Sequence, residues 1–257
     1  MPTVDILVSC VMPTGDRPDL IARAVESFFN QTVTDTELII VDDGRTPTVV
    51  PDNARIRYFR VERMNLGAKL NFACAKANAD IICRWDDDDW YASGRIARQL
   101  ADLSQPGIEV TGFHSIHYFD VSTGEIWPIT IGHPLPHAMG TSLFFKKSHW
   151  EKNQFELISV GEDTRFSNKA SAQGVLSSFD GRSYVVAHKH NRNTSKFRPT
   201  NPPTNTASVP PEFMALEADK IERGRKIVKL PEPVRTHAAG PYAGDGLTVD
   251  WRFRHRR

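Results

Sequence analysis

The chain has 257 residues, 40% of them hydrophobic and 25% charged, enough apolar surface to bury a sizeable core, which excludes a disordered tail protein. Thirty-two Lys and Arg stand against thirty-one Asp and Glu, a formal charge of +1, so no global field recruits nucleic acid or an anionic membrane and any polyanion site must be local. Cys10, Cys74 and Cys83 are an odd number without CxxC spacing, which points to a reducing compartment and to thiols that serve as small buried apolar groups.

In chain order, the N-terminus has no basic segment and places Asp5 inside its first apolar stretch, against a signal peptide. The longest apolar runs, 38–41 and 143–145, fall far short of the roughly 18 residues a membrane span needs. A soluble, cytoplasmic protein is expected. Residues 6–12 form a short apolar strand ending at Pro13. Asp16-Arg17-Pro18 then resembles an N-cap with Pro near the first turn of a helix. Apolar residues at 20, 24, 28 and at 21, 25 give that helix one face to lay on a sheet. Residues 38–41 read as a fully buried strand running into Asp42-Asp43-Gly44, and 55–60 alternate as a third strand before the turn at Asn65-Leu66-Gly67. Residues 67–78 should be helix, and 80–85 a strand closing on Asp86-Asp87-Asp88-Asp89. This is the βαβ rhythm of a mostly parallel sheet.

After a helix capped by Ser93 and reaching Leu103, the rhythm changes. Residues 109–119 and 125–131 read as a β-hairpin, 142–145 as a short strand, 163–172 as a helix and 183–187 as a last core strand. Residues 198–211 are dominated by Pro, Thr, Asn and Ser and read as a long loop. A helix over 212–230 and a basic aromatic tail, 251–257, complete the chain. The expected division is a catalytic domain over 1–197 and a C-terminal appendage over 198–257.

In a parallel α/β sheet, ligands bind outside the carboxyl ends of the strands. Three such ends carry the informative residues: Pro13-Thr14, Asp42-Asp43 and Asp86 to Asp89. Four consecutive aspartates are not expected in a core, because packed carboxylates without partners repel and lose hydration. Something cationic should neutralise them. On a strand edge Asp86 and Asp88 point to the same side, and hard oxygen ligands so placed suit Mg²⁺ or Mn²⁺ bound together with a diphosphate.

The ordered set of motifs is similar to that of the family 2 inverting glycosyltransferases with a GT-A fold, in which a Rossmann-like, mostly parallel sheet has helices on both faces. The resemblance rests on a first strand closing on Met-Pro-Thr, a helix trailing Asn-Gln-Thr, Leu-Ile-Ile-Val-Asp-Asp-Gly, Asn65-Leu-Gly-Ala-Lys-Leu-Asn71, Arg84-Trp-Asp-Asp-Asp-Asp-Trp90 and Gly161-Glu162-Asp163 before a helix. It implies a metal-dependent hexosyltransferase that takes a sugar from a nucleotide-sugar donor, with UDP as the nucleotide. Asp42 and Asp43 would hold base and ribose, with Pro13 lining that pocket and Asn65 beside it. Lys69 would lie near the base or diphosphate, with Asp86 and Asp87 on the nucleotide side. Asp88 would be the direct metal ligand, assisted by Asp86 and by His190, whose neighbour Asn193 completes a family-like pattern; His188 is the weaker alternative.

The resemblance further makes Asp163 the general base, beside Glu162, and puts Gly140, Thr141 and Ser142 on the acceptor side. Inverting displacement needs one carboxylate to take the acceptor proton while the metal stabilises the leaving diphosphate. The acceptor, whether a saccharide, a lipid-linked intermediate, a natural product or a peptide, is not encoded in these motifs, and a peripheral membrane contact stays open. Two departures touch the base and ribose contacts. The Asn-x-Gly segment is about two residues shorter before its second Asn, and Asp43-Gly-Arg-Thr replaces the commoner Asp-Gly-Ser.

Two other readings compete. A nucleotidyltransferase would share the carboxylates but needs a glycine- and arginine-rich phosphate loop after the first strand, which Met12-Pro-Thr-Gly-Asp-Arg-Pro18 is not. A nucleic-acid-binding protein is prompted by the four arginines and two aromatics of 251–257. The tetra-aspartate and the near-zero net charge argue against it, so no nucleic-acid partner is expected.

Overall fold

The computed structural model describes residues 7–193 and 209–223. Most of the Pro-rich stretch, the predicted helix beyond Arg223 and the basic tail lie outside the described residues. Three strands, β1 (Val8–Thr14), β2 (Thr36–Asp42) and β3 (Ile56–Arg60), pair in parallel, and β4 (Ile81–Arg84) pairs in parallel with the other side of β1. The run Leu38 to Val41 of β2 is apolar without alternation because both faces are covered, whereas the edge strand β3 is half-buried and carries Arg57 and Arg60. On β1 and β2, Cys10, Met12, Leu38 and Ile40 face one cluster, and Val11, Ile39 and Val41 the other, as the two-residue period of a strand requires.

Helices α1 (Ile21–Phe29) and α3 (Arg95–Leu103) pack on the first face through Ala24, Val25, Phe28, Ile96 and Leu103. On the second lie α2 (Leu66–Ala75), α4 (Lys147–Lys152) and α5 (Glu162–Ala172), which contribute Leu70, Cys74, Trp150, Phe166 and Ala170. The remaining strands are β5 (Trp90–Tyr91), β6 (Val110–Asp120), β7 (Ile126–Thr130), β8 (Phe144–Lys146), β9 (Leu176–Asp180) and β10 (Val185–Lys189). The sheet runs β3-β2-β1-β4-β8-β6-β10-β5, with β7 and β9 pairing β6 off this path. β6 serves two sets of neighbours in turn. Its first half lies between β8 and β9, and after an irregularity between Phe113 and Ser115 its second half lies between β7 and β10.

The order predicted from the sequence is present, with local corrections. Asp16 does not cap α1; the N-cap is Leu20 and no side chain bonds there. Asp16 instead takes a left-handed φ of 58° and accepts Arg45 N at 2.8 Å and Arg63 Nη1 at 3.0 Å. Nor does Ser93 cap α3. Gly94 holds that position, and the Ser93 carbonyl accepts Thr32 N at 2.9 Å. Residues 140–142 form a 3₁₀ turn ahead of β8, while β5, α4 and β9 are too short or too polar to announce themselves. A last helix, α6 (Pro211–Arg223), buries Phe213 against Trp90, Phe119 and His188, so the end of the described chain packs on the core sheet. Among the described residues no helix is long and apolar enough to cross a membrane. Cys10, Cys74 and Cys83 are all free and buried.

Candidate active site

Parallel pairing brings the chemistry to one edge. The register sets Thr14 beside Asp42 and Val11 beside Arg84, so the segments leaving β1, β2 and β4 emerge together. They line a cleft of about 520 Å³, a volume within the usual range for small-ligand sites, whose far side is the start of α5. The turn at Gly140 lies between the two, in contact with Asp163 and bonded to Asp89 through Thr141.

The four aspartates are largely buried, contrary to the expectation that a packed core would reject them; Asp87, Asp88 and Asp89 are 1%, 9% and 4% exposed. Each has a partner instead. Thr14 donates to Asp87 Oδ2 at 2.6 Å and Arg17 reaches Asp87 Oδ1 at 2.7 Å. Asp88 Oδ2 collects Arg17 Nη1 at 2.8 Å, His190 Nε2 at 3.1 Å and Asn193 Nδ2 at 3.4 Å. Asp89 accepts the Thr141 hydroxyl at 2.6 Å and His188 N at 3.0 Å, which ties the acidic run to β10. Asp86 accepts Arg84 Nε at 2.9 Å, and its amide donates to the Tyr91 hydroxyl at 2.8 Å. Burial, reinforced by Asp88, pushes the Asp87 carboxyl up to about 7. Burial opposes the charge of Asp88 as well, but His190 and Arg17 outweigh it and hold that carboxyl below its ordinary value. Asp89, sealed and next to Asp88, is held well above the carboxylate range by burial first and like charge second.

On the facing wall Gly161 takes a left-handed φ of 86° and starts α5, so Glu162 and Asp163 occupy its first turn, where the helix dipole favours negative charge. Glu162 turns inward, 2% exposed, onto Arg84 Nη1 at 3.2 Å; burial raises its carboxyl against the pull of Arg84. Asp163 lines the cleft and accepts Thr164 N at 2.6 Å. Gly140 lies against it so closely that a Cβ there would stand 2.1 Å from Asp163 Oδ2 and 2.9 Å from Arg84 Nη1. Arg84 therefore joins the two walls. Burial works against its charge, but Asp86, Asp163 and Glu162 raise its affinity for the proton above that of a free guanidinium.

At the other end of the cleft, Lys69 donates to Asp43 Oδ1 at 2.9 Å and to the Thr14 carbonyl at 3.0 Å, and Met64 N donates to Asp43 Oδ2 at 3.2 Å. Pro13 lines the cleft beside them.

The structure thus brings Pro13, Asp43, Lys69, Asp86, Asp87, Asp88, Gly140, Thr141, Glu162 and Asp163 to one cavity, with His190 attached through Asp88. Three of the residues singled out from the sequence are engaged elsewhere. Asp42 is fully buried and spends its carboxylate on Gly44 N, Thr48 N, the Tyr58 hydroxyl and Arg60, which folds the loop after β2. Asn65 caps α2 by accepting Ala68 N, and Ser142 is buried between Phe113 N and the Met139 carbonyl. Arg17, Arg84 and Tyr118 line the cleft without having been foreseen. Arg84 had a readable signal: an arginine in a strand otherwise made of Ile and Cys must be buried, and a buried guanidinium needs carboxylates. Among the described residues, no group of three or more His, Cys, Asp or Glu side chains stands close enough to hold a metal ion on its own.

Comparison with known proteins adds an independent line. A family profile described as Glycosyl transferase family 2 matches residues 9–164. An uncharacterized glycosyltransferase of Rickettsia felis is 26% identical over 183 residues, covering 62% of this chain but 29% of the relative, so the chain spans less than a third of that protein. Among solved structures, S. aureus TarS 1-349 in complex with UDP-GlcNAc superposes with a TM-score of 0.57 at 15% identity, over 73% of this chain and 60% of TarS 1-349. The mannosyltransferase PcManGT from Pyrobaculum calidifontis, in complex with GDP-Man and Mn²⁺, gives 0.53 at 17% identity over 72% of this chain and 57% of its own.

Proposed function

The chain belongs to glycosyl transferase family 2 and has the GT-A fold; from that premise we propose that it transfers a sugar from a nucleotide-sugar donor, with UDP as the nucleotide, to an acceptor hydroxyl with inversion, and that Asp163 is the general base. The observation that carries the reading is the cleft itself, in which a carboxylate at a helix start faces a strand-end acidic run across a cavity of ligand size. TarS was crystallised with UDP-GlcNAc and the Pyrobaculum enzyme with GDP-Man and Mn²⁺, which supports a nucleotide-sugar donor and a metal here.

The acidic wall fits a divalent ion that is only partly held by protein. Mg²⁺ and Mn²⁺ take one or two carboxylates and complete their shell with phosphate oxygens and water. Asp88 and Asp86 supply hard oxygens at the cleft surface, and His190 stands on Asp88. When bound, the ion stabilises the negative charge of the leaving diphosphate. The chain's own groups do the rest. Pro13, Asp43 and Lys69 bind the nucleotide end, and Lys69 and Arg17 add positive charge along the diphosphate. Asp163 accepts the proton of the acceptor hydroxyl, whose oxygen forms the new bond to the anomeric carbon from the face opposite the diphosphate. The bond from that carbon to the diphosphate oxygen breaks, and its electron pair leaves with the diphosphate. Glu162, neutralised by Arg84, fixes the turn that aims Asp163. Gly140 and Thr141 border the acceptor approach.

Calorimetric titration with UDP, GDP and dTDP, each with Mn²⁺ and with chelator, tests the donor site. Metal-dependent binding of one nucleotide is expected, and absence of binding by all three overturns the donor assignment. Asp163→Asn should keep that nucleotide affinity and lose turnover by about 10³-fold or more, since a general base contributes about 10²–10⁴ and the amide cannot take a proton. Near-normal turnover with a supporting acceptor removes Asp163 from the reaction.

A further inference from the structure

The acidic run carries its own counterion. Arg17, between β1 and α1, forms an ion pair with Asp87, Nη2 to Oδ1 at 2.7 Å, and donates Nη1 to Asp88 Oδ2 at 2.8 Å. Asp88 is also the carboxylate the proposed reaction assigns to the divalent ion, so guanidinium and ion claim the same charge. We infer that Arg17 is a tethered competitor of the divalent cation at Asp88, which the donor's diphosphate draws away when the nucleotide sugar enters. The inference rests on the metal-dependent reading given above.

Other positive groups in the cleft are committed elsewhere. Arg84 holds Asp86 and Glu162, and Lys69 holds Asp43. Arg17 is the guanidinium that Asp87 and Asp88 share, and it gains proton affinity chiefly from those two carboxylates, against the cost of its own burial. A doubly charged ion at Asp88 would lie within a few ångströms of this positive charge in a partly desolvated cleft, where repulsion is weakly screened. The diphosphate resolves the conflict, because its oxygens offer the planar fork the same two-pronged geometry a carboxylate pair does. The side chain faces the cleft and is 18% exposed. Its neighbour Asp16 is held through its carboxylate by Arg45 N and Arg63. Exchange of partners is then a rotation of this partly exposed side chain within the cleft. Metal and nucleotide should bind with positive coupling, and linkage requires each to strengthen the other by the same factor.

The test measures free Mn²⁺ by electron paramagnetic resonance during titration of the full chain, with and without saturating UDP, or GDP if that is the nucleotide bound. In the wild type, Mn²⁺ alone should bind weakly and the nucleotide should tighten it by about tenfold or more. Arg17→Gln keeps a hydrogen-bond donor without the charge. It should bind Mn²⁺ alone about tenfold more tightly than wild type, with the coupling to nucleotide reduced by a similar factor. Equal or weaker Mn²⁺ affinity in an Arg17→Gln protein with wild-type circular dichroism and melting temperature overturns the inference, while wild-type coupling leaves the metal reading standing. Should that variant not fold, Arg17→Lys, which keeps charge but loses the fork, is expected to shift Mn²⁺ affinity the same way by about threefold, and no shift overturns the inference. Absence of Mn²⁺ binding by wild type with every nucleotide overturns the metal reading, and this inference falls with it.

Discussion

Replacing Arg84 by Met keeps much of the side-chain volume and removes a charge that links the acidic run to the start of α5. Its side chain is 7% exposed and contacts Asp86 at 2.9 Å and Glu162 at 3.2 Å. Removing one member of a buried ion pair costs about 3–5 kcal/mol because the surviving charge is left without a partner. Asp86 is 21% exposed and recovers part of its hydration, so the lower figure, about 3 kcal/mol, is the better expectation. At about 2–4 °C per kcal/mol for a chain of this size, the melting temperature should fall by about 6–12 °C at pH 7. The pH dependence follows from Glu162, whose carboxyl is already raised by burial in the wild type and should rise further without Arg84. An acid raised in the folded state penalises folding while it is ionised, so the deficit of Arg84→Met should be full above the folded value and shrink as acidification protonates Glu162. Adding Glu162→Gln should restore most of the loss at pH 7, since a buried pair replaced at both ends is nearly neutral. Differential scanning calorimetry of wild type, single and double variants between pH 5 and 8 measures all of this. A single variant within about 1 kcal/mol of wild type at pH 7, or a double variant no better than the single, refutes the account.

Two further expectations concern geometry and acid stability. Gly140→Ala puts a methyl group 2.1 Å from Asp163 Oδ2, so the carboxylate must move by more than 1 Å; kcat should fall about 10²-fold with nucleotide affinity unchanged, as steady-state kinetics beside calorimetry would show, and an unaltered kcat contradicts the placement of Asp163. Burial opposes the charge of Asp42, but the Tyr58 hydroxyl and the amides of Gly44 and Thr48 lower its carboxyl on balance. Its stabilisation is therefore present above the ordinary carboxylate range and lost as pH falls through the depressed folded value. Asp42→Asn should cost about 1–3 kcal/mol at pH 7 and progressively less on acidification, read from urea unfolding; a pH-independent deficit contradicts that sign.

Much of the architecture was legible in the sequence because its signals are local. The short apolar run 38–41, ending at the turn signal Asp42-Asp43-Gly44, reads as a strand covered on both faces, and the periodic stripe through Ala24, Val25 and Phe28 reads as a helix laid on a sheet. Helix boundaries were less legible. Asp16 and Ser93 have the right chemistry for caps, but Arg45 and Arg63 engage the Asp16 carboxylate, and α3 begins one residue later than Ser93 would set it, with Gly94 at the cap.

The site divides along the same line. The acidic run, the Glu162-Asp163 pair and the Asp42-Asp43 pair are each written in consecutive residues; the rule that ligands bind at the carboxyl ends of parallel strands puts the first and last of them at one edge, while Glu162-Asp163 reaches the cleft at the start of α5. Which carboxylate is a tool and which is a structural member is a question of long-range partners. Asp43 faces the cleft while its neighbour Asp42 folds a loop, because adjacent residues of an extended segment point to opposite sides and only one side opens on the cavity. Asp88 and Asp89, at a turn, also differ by partner, the first drawn to Arg17 and His190 and the second to Thr141 and the His188 amide. The sequence by itself determined the α/β order, the strand ends that open on the cleft and the residue types found there. The tertiary structure alone decided that Arg17 neutralises Asp87 and Asp88 and that Arg84, already beside Asp86 in the chain, also meets Glu162, since partners 71 and 78 residues apart come together only in the folded sheet.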